Sequence, residues 1–486
     1  MFCLDLTKAT LKLKQNIFFI FRQPSMKMDN LMLRFPHLFE QTFQKLNNES
    51  LFKSREVARS WKHFINGRNY PWLCVVNIPT ILQSGDSYLH LAAETGQIDA
   101  FETALSKEED KDVKSIYGQT SFHYACKKGR LNIVEYLLEN ANWNVDINAK
   151  DDSSWTGFIF ACFNGHLNVA KVIVDTSVAL GIDLNVQGAG DVTAFMWACM
   201  EGHTSIVKLI MEYSFGNMGI TLNMDNGFGD SSMFSACGNS HSCAVNILIE
   251  NAAKFDINAK EKWGRTAFNM ACEHGHVNVA KMFIDNAVTL SIDLNAKDTE
   301  GQTPFFSACR GGFFDIVKML MKNSAALMID LNVKDNLCRT AFHRACEGGH
   351  FNVAKMLFEN SLSLSIDLYF KGFSGQTPFH SACIFGHFDL AKMLMENSVM
   401  LSIDLNAKDV KGRTAFHFAC GQGHVNVAKM LMESSAALSI DLNAKDNAGK
   451  TAYNFGLTSG SNSTVALMQS NEETLNINLG PKNNKP

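Results

Sequence analysis

Residues 412–446 read GRTAFHFACGQGHVNVAKMLMESSAALSIDLNAKD. The stretch before it, from Gly375, reads GQTPFHSACIFGHFDLAKMLMENSVMLSIDLNAKD. Two further copies precede these: CRTAFHRACEGGHFNVAKMLFENSLSLSIDLYFKG from Cys338 and GQTPFFSACRGGFFDIVKMLMKNSAALMIDLNVKD from Gly301. Self-similarity at a fixed period marks a repeat architecture, in which each unit buries its apolar face only against its neighbours.

The cysteines measure the period. Cys126, Cys162, Cys199, Cys237, Cys272, Cys309, Cys346, Cys383 and Cys420 all follow an alanine, at separations of 36, 37, 38, 35, 37, 37, 37 and 37. Ala93 stands 33 residues before the first and Leu457 stands 37 after the last, which makes eleven units. A glycine three positions on keeps the register throughout, except at Ser240. Within one unit, Thr414 suits the start of a short helix, because a side-chain oxygen there satisfies orphan N–H groups. Phe416, Ala419 and Cys420 form its inward face, and Gly423 ends it, where positive φ is often required. Val427, Met430 and Leu431 follow at i, i+3, i+4, the spacing of a second amphipathic helix. Ala437 and Leu438 extend that spacing, so the reading predicts a second helix about one turn longer.

These residues resemble the ankyrin repeat, with its G-x-T-P-L-H-x-A-A-x-x-G-H core, leucine-rich helix and N-A-x-D turn. The resemblance covers roughly residues 82–468 and implies an all-α solenoid of helix-turn-helix units with β-turn fingers. Two departures recur: Cys replaces the second core Ala, and most units carry about four extra residues before the turn. The first and last units read as caps, residues 1–27 as a leader without order, and 469–486 as a polar tail with nothing to bury.

Residues 28–78 stand apart. Leu38, Phe39, Phe43 and Leu46 form one apolar stripe; Leu51, Val57, Trp61 and Phe64 form another. Phe35-Pro36, Val57-Ala58-Arg59-Ser60-Trp61 and the closing Pro71-Trp72 resemble an F-box, which begins Leu-Pro and carries V-C-R-x-W in its last helix. Phe35 replaces the usual Leu, His37-Leu38 an acidic pair, and Ala58 a Cys. The resemblance implies a Skp-type adaptor held through Phe35, Pro36, Leu38, Phe39, Val57, Arg59 and Trp61. The alternative is a small helical cap on the array, since a module this short buries little surface by itself.

Composition narrows the classes. Apolar content of 46% and charged content of 19% belong to a folded chain. A net charge of −4 supplies no electrostatic footprint for nucleic acid or an anionic membrane, and no run approaches the roughly 20 apolar residues of a membrane span. Nine of the thirteen cysteines belong to the ladder. Packed helices lie roughly 8–10 Å apart, beyond the roughly 7 Å between Cα atoms that a disulfide tolerates. A reducing compartment, cytosol or nucleus, fits such thiols.

His343 with Cys346, His380 with Cys383, and His417 with Cys420 are i, i+3 pairs, which invites a metal or catalytic reading. A site is a local exception, however, whereas these residues recur by template. Zinc needs three or four converging ligands, and no close CxxC pair occurs. Cys reads as a small buried hydrophobe. The family resemblance makes the first-helix histidines braces between successive units. The expectation is a monomeric, non-enzymatic chain without cofactor or metal.

Function then falls to the positions the copies do not share. Two residues before the ladder cysteine stand Phe160, Trp197 and Arg344; one residue after it stand Phe163, Met200 and Arg310. Finger tips carry Trp155, Phe228, Trp263 and Phe373. Aromatic, Met and Arg residues are the usual makers of interface hot spots. By resemblance they face a protein partner on the concave side, and Trp155, Phe160, Phe163, Trp197 and Met200 are expected to form one apolar patch. Two functional readings follow: a substrate receptor of a cullin-type ubiquitin ligase, or a plain scaffold or inhibitor in which residues 28–78 only cap the repeats.

Overall fold

The computed structural model describes residues 87–479, apart from 109, 141–144 and 215–219. Their helices come in eleven pairs, numbered here as units 1 to 11, each with an inner helix followed by an outer one. Unit 1 pairs Tyr88–Thr95 with Ile98–Lys107, unit 3 Gly157–Phe163 with Leu167–Leu180, and unit 4 Ala194–Met200 with Thr204–Tyr213. Units 8, 9 and 10 have inner helices Ala341–Glu347, Pro378–Ile384 and Ala415–Gly421. Unit 11 closes the array with Ala452–Ser459 and Asn462–Ser470. Among the described residues no strand forms; Lys334 and Thr340 make one isolated bridge. The architecture is an all-α repeat solenoid.

Thr or Ser starts the inner helices, and the Thr193 and Thr303 hydroxyls accept hydrogen bonds from the Met196 and Phe306 N–H groups. Gly165 ends one of these helices at φ 75°. A Cβ there would stand 2.6 Å from the His203 ring of the next unit, so the glycine also makes room for a neighbour. Ser240, which lacks that freedom, still adopts φ 63°.

Inner helices pack on inner helices all along the array, more closely than outer on outer. The nine ladder cysteines lie in that seam, buried and unpaired. One apolar core runs from Leu89 to Ile477, built from residues such as Phe122, Phe268, Phe305 and Phe342.

Two expectations need correction. Among the described residues, the outer helix extends without interruption through the insertion only in unit 3. In units 9 and 10 it stops at Glu396 and Glu433, and the insertion forms a separate helical turn, Ser398–Leu401 and Ser435–Leu438. In units 6 to 9 the boundary carries an asparagine: Asn286, Asn323, Asn360 and Asn397 each donate a side-chain hydrogen bond to the carbonyl four residues back. In unit 10 Ser434 stands there and the helix breaks all the same. Ala437 is accordingly exposed and only Leu438 packs on the core. The second correction concerns the tail: residues 469–479 complete unit 11 instead of trailing from it. Ile477 is 4% exposed and Leu475 and Leu479 pack beside it.

Candidate functional site

The histidines are the first residues whose chemistry has to be assigned. In His123, His343, His380 and His417 the Nδ1 accepts from the backbone N–H of the Thr that starts the helix, at 3.0–3.2 Å. A backbone N–H can only donate, so Nε2 carries the proton. It donates to a carbonyl of the following unit: Trp155, Gln376, Arg413 and Lys450 respectively. Asn269 makes the equivalent pair of bonds in unit 6, to Thr266 and to Ala296. A second histidine ladder reaches backward. His166, His203, His241, His276, His350, His387 and His424 point Nε2 at Lys127, Phe163, Met200, Gly238, Arg310, Glu347 and Ile384 carbonyls of the preceding unit. The two ladders brace many junctions but not all of them: Ile159, Met196, Phe234 and Phe306 stand at the forward position in units 3, 4, 5 and 7, and Phe313 at the backward position in unit 7.

Burial lowers the pKa of His343 and His380 to about 4, opposed by the Gln376 and Arg413 carbonyls they meet. His123 and His417 are lowered for the same reason. Burial pushes the ladder thiols far up, as at Cys346 and Cys383. That is the wrong direction for a nucleophile, which acts as thiolate. Among the described residues no three His, Cys, Asp or Glu side chains converge as a metal would require.

The inner-helix side of units 2 to 4 carries the aromatic group expected there. Trp155 lies 5.0 Å from Phe160, 5.2 Å from Phe163 and 5.1 Å from Trp197, ring centre to ring centre. Phe163 meets Trp197 edge-on at 5.0 Å. Lys127 places its ammonium 5.4 Å above the Phe160 ring. Phe160 is only 5% exposed and supports the group from below. Trp155, Phe163 and Trp197 are half-buried and form its outer surface, and Met200, half-buried too, follows Trp197 by three residues on the same helix. The rings hold one another, so the patch is ordered before any partner arrives.

Further along the same side the chemistry changes. Arg265 bonds the buried Glu261 at 3.1 Å and Glu273 at 3.2 Å, and Arg310 bonds Glu273 at 2.6 Å. Arg344 bonds Glu347 at 2.9 Å and stands 3.7 Å from Asp335, which also holds Arg339. Arg310 and Arg344, singled out in the sequence as contact residues, are thus already paired within the chain. At the tips, Phe228 and Trp263 stack nearly parallel at 6.5 Å with both rings about half exposed, and Arg265 lies 5.1 Å from the Trp263 ring centre. Phe373 projects alone, 79% exposed. Phe35, Pro36, Leu38, Phe39, Val57, Arg59 and Trp61, the residues of the F-box resemblance, lie outside the described residues.

One set of contacts went unread in the sequence. The Asn of each IDLN turn donates its side-chain N–H to the insertion of the next unit and accepts from the backbone N–H two residues beyond. Asn295 thus joins Met328 and Asp330, and Asn332 joins Ser365 and Asp367. The signal was the recurrence of this Asn in most copies, which reads equally well as turn preference.

Comparison with known families accords with this geometry. An ankyrin-repeat family description (three copies) matches residues 71–151, 89–188, 159–261 and 232–335. A second ankyrin-repeat description (many copies) matches residues 379–432. The chain belongs to the ankyrin-repeat family, whose members typically act as binding scaffolds without enzymatic activity. No curated protein matches it. The family and the surface together indicate a protein–protein interaction role. Among the described residues no helix is long and apolar enough to cross a membrane.

Proposed function

We propose that the chain is a receptor that selects a protein partner with the inner-helix surface of units 2 to 4 and hands it to a ubiquitin ligase through residues 28–78. The observation that carries the first half is the preassembled group Trp155, Phe163, Trp197 and Met200. An anchor whose rings are fixed in advance loses little conformational freedom on binding, so more of its contact energy appears as affinity. The paired Arg and Glu side chains further along act mainly on specificity, because a partner that displaces them has to replace each bond with one as good.

The second half rests on sequence alone. Phe35-Pro36 and Val57-Ala58-Arg59-Ser60-Trp61 stand at the positions by which an F-box grips a Skp-type adaptor. A pull-down with purified adaptor tests it, comparing the intact chain with Pro36→Ala/Trp61→Ala. Capture by the intact chain and loss in the double variant is the expected result. No capture by the intact chain would leave a scaffold or inhibitor whose residues 28–78 only cap the repeats.

A further inference from the structure

Asparagine fills most rungs of this ladder, Asp112 accepts from the Asp146 N–H at the first, and at one rung among the described residues no side chain makes either bond. Asn148, Asn258, Asn295, Asn332, Asn406 and Asn443 each make both bonds to the next unit. At the rung between Asn332 and Asn406 the residue is Tyr369, which has no amide. Its counterparts on the next unit, the Ser402 carbonyl and the Asp404 N–H, receive no hydrogen bond from any described residue.

The gap is nonetheless shaped like a filled rung. Ser402 has φ 53° and ψ 36°, against 54° and 40° at Ser439, whose carbonyl is bonded by Asn406. Asp404 still accepts from the Asn406 N–H at 2.9 Å, as Asp441 does from Asn443. The turn that carries both groups therefore keeps the shape it has where Asn406 fills the next rung, with no carboxamide in place.

A cavity of about 110 Å³ opens at this place, lined by Tyr369, Lys371, Pro378, Phe379, Ser402 and Asp404. A single water needs roughly 10–15 Å³ on this measure, so the space admits the end of a side chain. The surrounding loop is where this unit departs most from its copies. It reads Leu368-Tyr369-Phe370-Lys371-Gly372 where the next unit reads Leu405-Asn406-Ala407-Lys408-Asp409. Three and two residues before Ser402 on the same insertion, Val399 and Met400 are 80% and 70% exposed.

We infer that the Tyr369 rung is a binding site for the carboxamide of a glutamine or asparagine side chain on a protein partner. A carboxamide donates to the Ser402 carbonyl and accepts from the Asp404 N–H at once. A carboxylate can accept from such an N–H, as Asp112 does from Asp146 at 2.9 Å, but it leaves the Ser402 carbonyl without a donor, whatever it gains from Lys371 on the cavity wall. An ammonium could satisfy the carbonyl and would leave the N–H without an acceptor. Discrimination by unpaired groups is what makes such a rung selective. Val399 and Met400 would cover the residues beside the inserted side chain, which favours a partner chain over a free amide. The site uses none of the inner-helix residues of units 2 to 4, and stands or falls separately from them.

The test follows the Asp404 amide by NMR in the full chain, labelled with ¹⁵N-aspartate and assigned by its loss in Asp404→Asn. The probes are the blocked tripeptides Gly-Gln-Gly and Gly-Glu-Gly, and nicotinamide as a free amide. The Gln peptide is expected to shift the resonance saturably at millimolar concentration, with a response at least about tenfold weaker from the Glu peptide. In Tyr369→Asn the restored side chain should occupy the rung, abolish the response and raise the melting temperature. No saturable shift, equal shifts from the two peptides, or a response that survives Tyr369→Asn would overturn the site. Tighter binding of nicotinamide than of the Gln peptide would overturn its assignment to a protein side chain.

Discussion

At the scale of single residues, the two histidine ladders set how the chain answers to pH. A lowered histidine pKa means that the unfolded chain binds more protons than the folded one between the two values. The contribution of His343 and His380 is therefore complete above pH 6.5 and is lost progressively as the pH falls toward 4. At 1.36 kcal/mol per pH unit, each amounts to about 3 kcal/mol. Asn does the same bonding at position 269 without titrating. His343→Asn/His380→Asn should thus keep its urea midpoint at pH 7 and flatten the decline between pH 6.5 and 4.5; an unchanged slope would show that acid acts elsewhere. Ser240 offers a second test. Its left-handed backbone costs about 1–2 kcal/mol relative to glycine, so Ser240→Gly should raise the melting temperature, and a fall would contradict the account.

At the scale of elements, the insertion is pinned by its neighbour. Asn332→Ala removes two hydrogen bonds, each worth about 1 kcal/mol net. Hydrogen exchange of the 361–367 turn should accelerate in that variant while the inner helices keep their protection. Equal acceleration across unit 8 would mean that the ladder is not local. This element also shows where sequence reading stops. The cysteine period and the glycine after it gave the inner helices, because both are constraints within one unit. The Asn bonds join residues 33 and 35 apart, and nothing inside one copy distinguishes a bonding Asn from a turn-forming one. The same limit hid the break after Glu396, beyond which the insertion forms its own turn, Ser398–Leu401. It hid the burial of Ile477, whose neighbours Asn476 and Asn478 both bond Asn443 of the preceding unit. The aromatic group was legible because a 37-residue step sets position 160 beside 197. That Phe160 would be buried and that Arg310 and Arg344 would already be paired needed the neighbouring fingers and helices.

At the scale of the whole molecule, eleven units, many of them joined by forward or backward histidines, form a surface whose regularity is structural and whose exceptions carry information. Two exceptions stand out: the ring group of units 2 to 4 and the open rung at Tyr369. Trp197→Ala removes ring contacts worth about 0.5–1.5 kcal/mol each beyond their buried area, so it should weaken both binding and stability. Met200→Ala, outside the ring contacts, should weaken binding with little change in melting temperature. The most direct measurement places a photo-crosslinking residue at position 200 in one sample and at position 392, on an exposed outer helix, in another. A discrete protein adduct from position 200 that is absent from position 392, and that disappears when Trp155→Ala is added, is the predicted result. Equal adducts from both positions, or an adduct indifferent to Trp155, would contradict the claim that this ring group is the face that selects the partner.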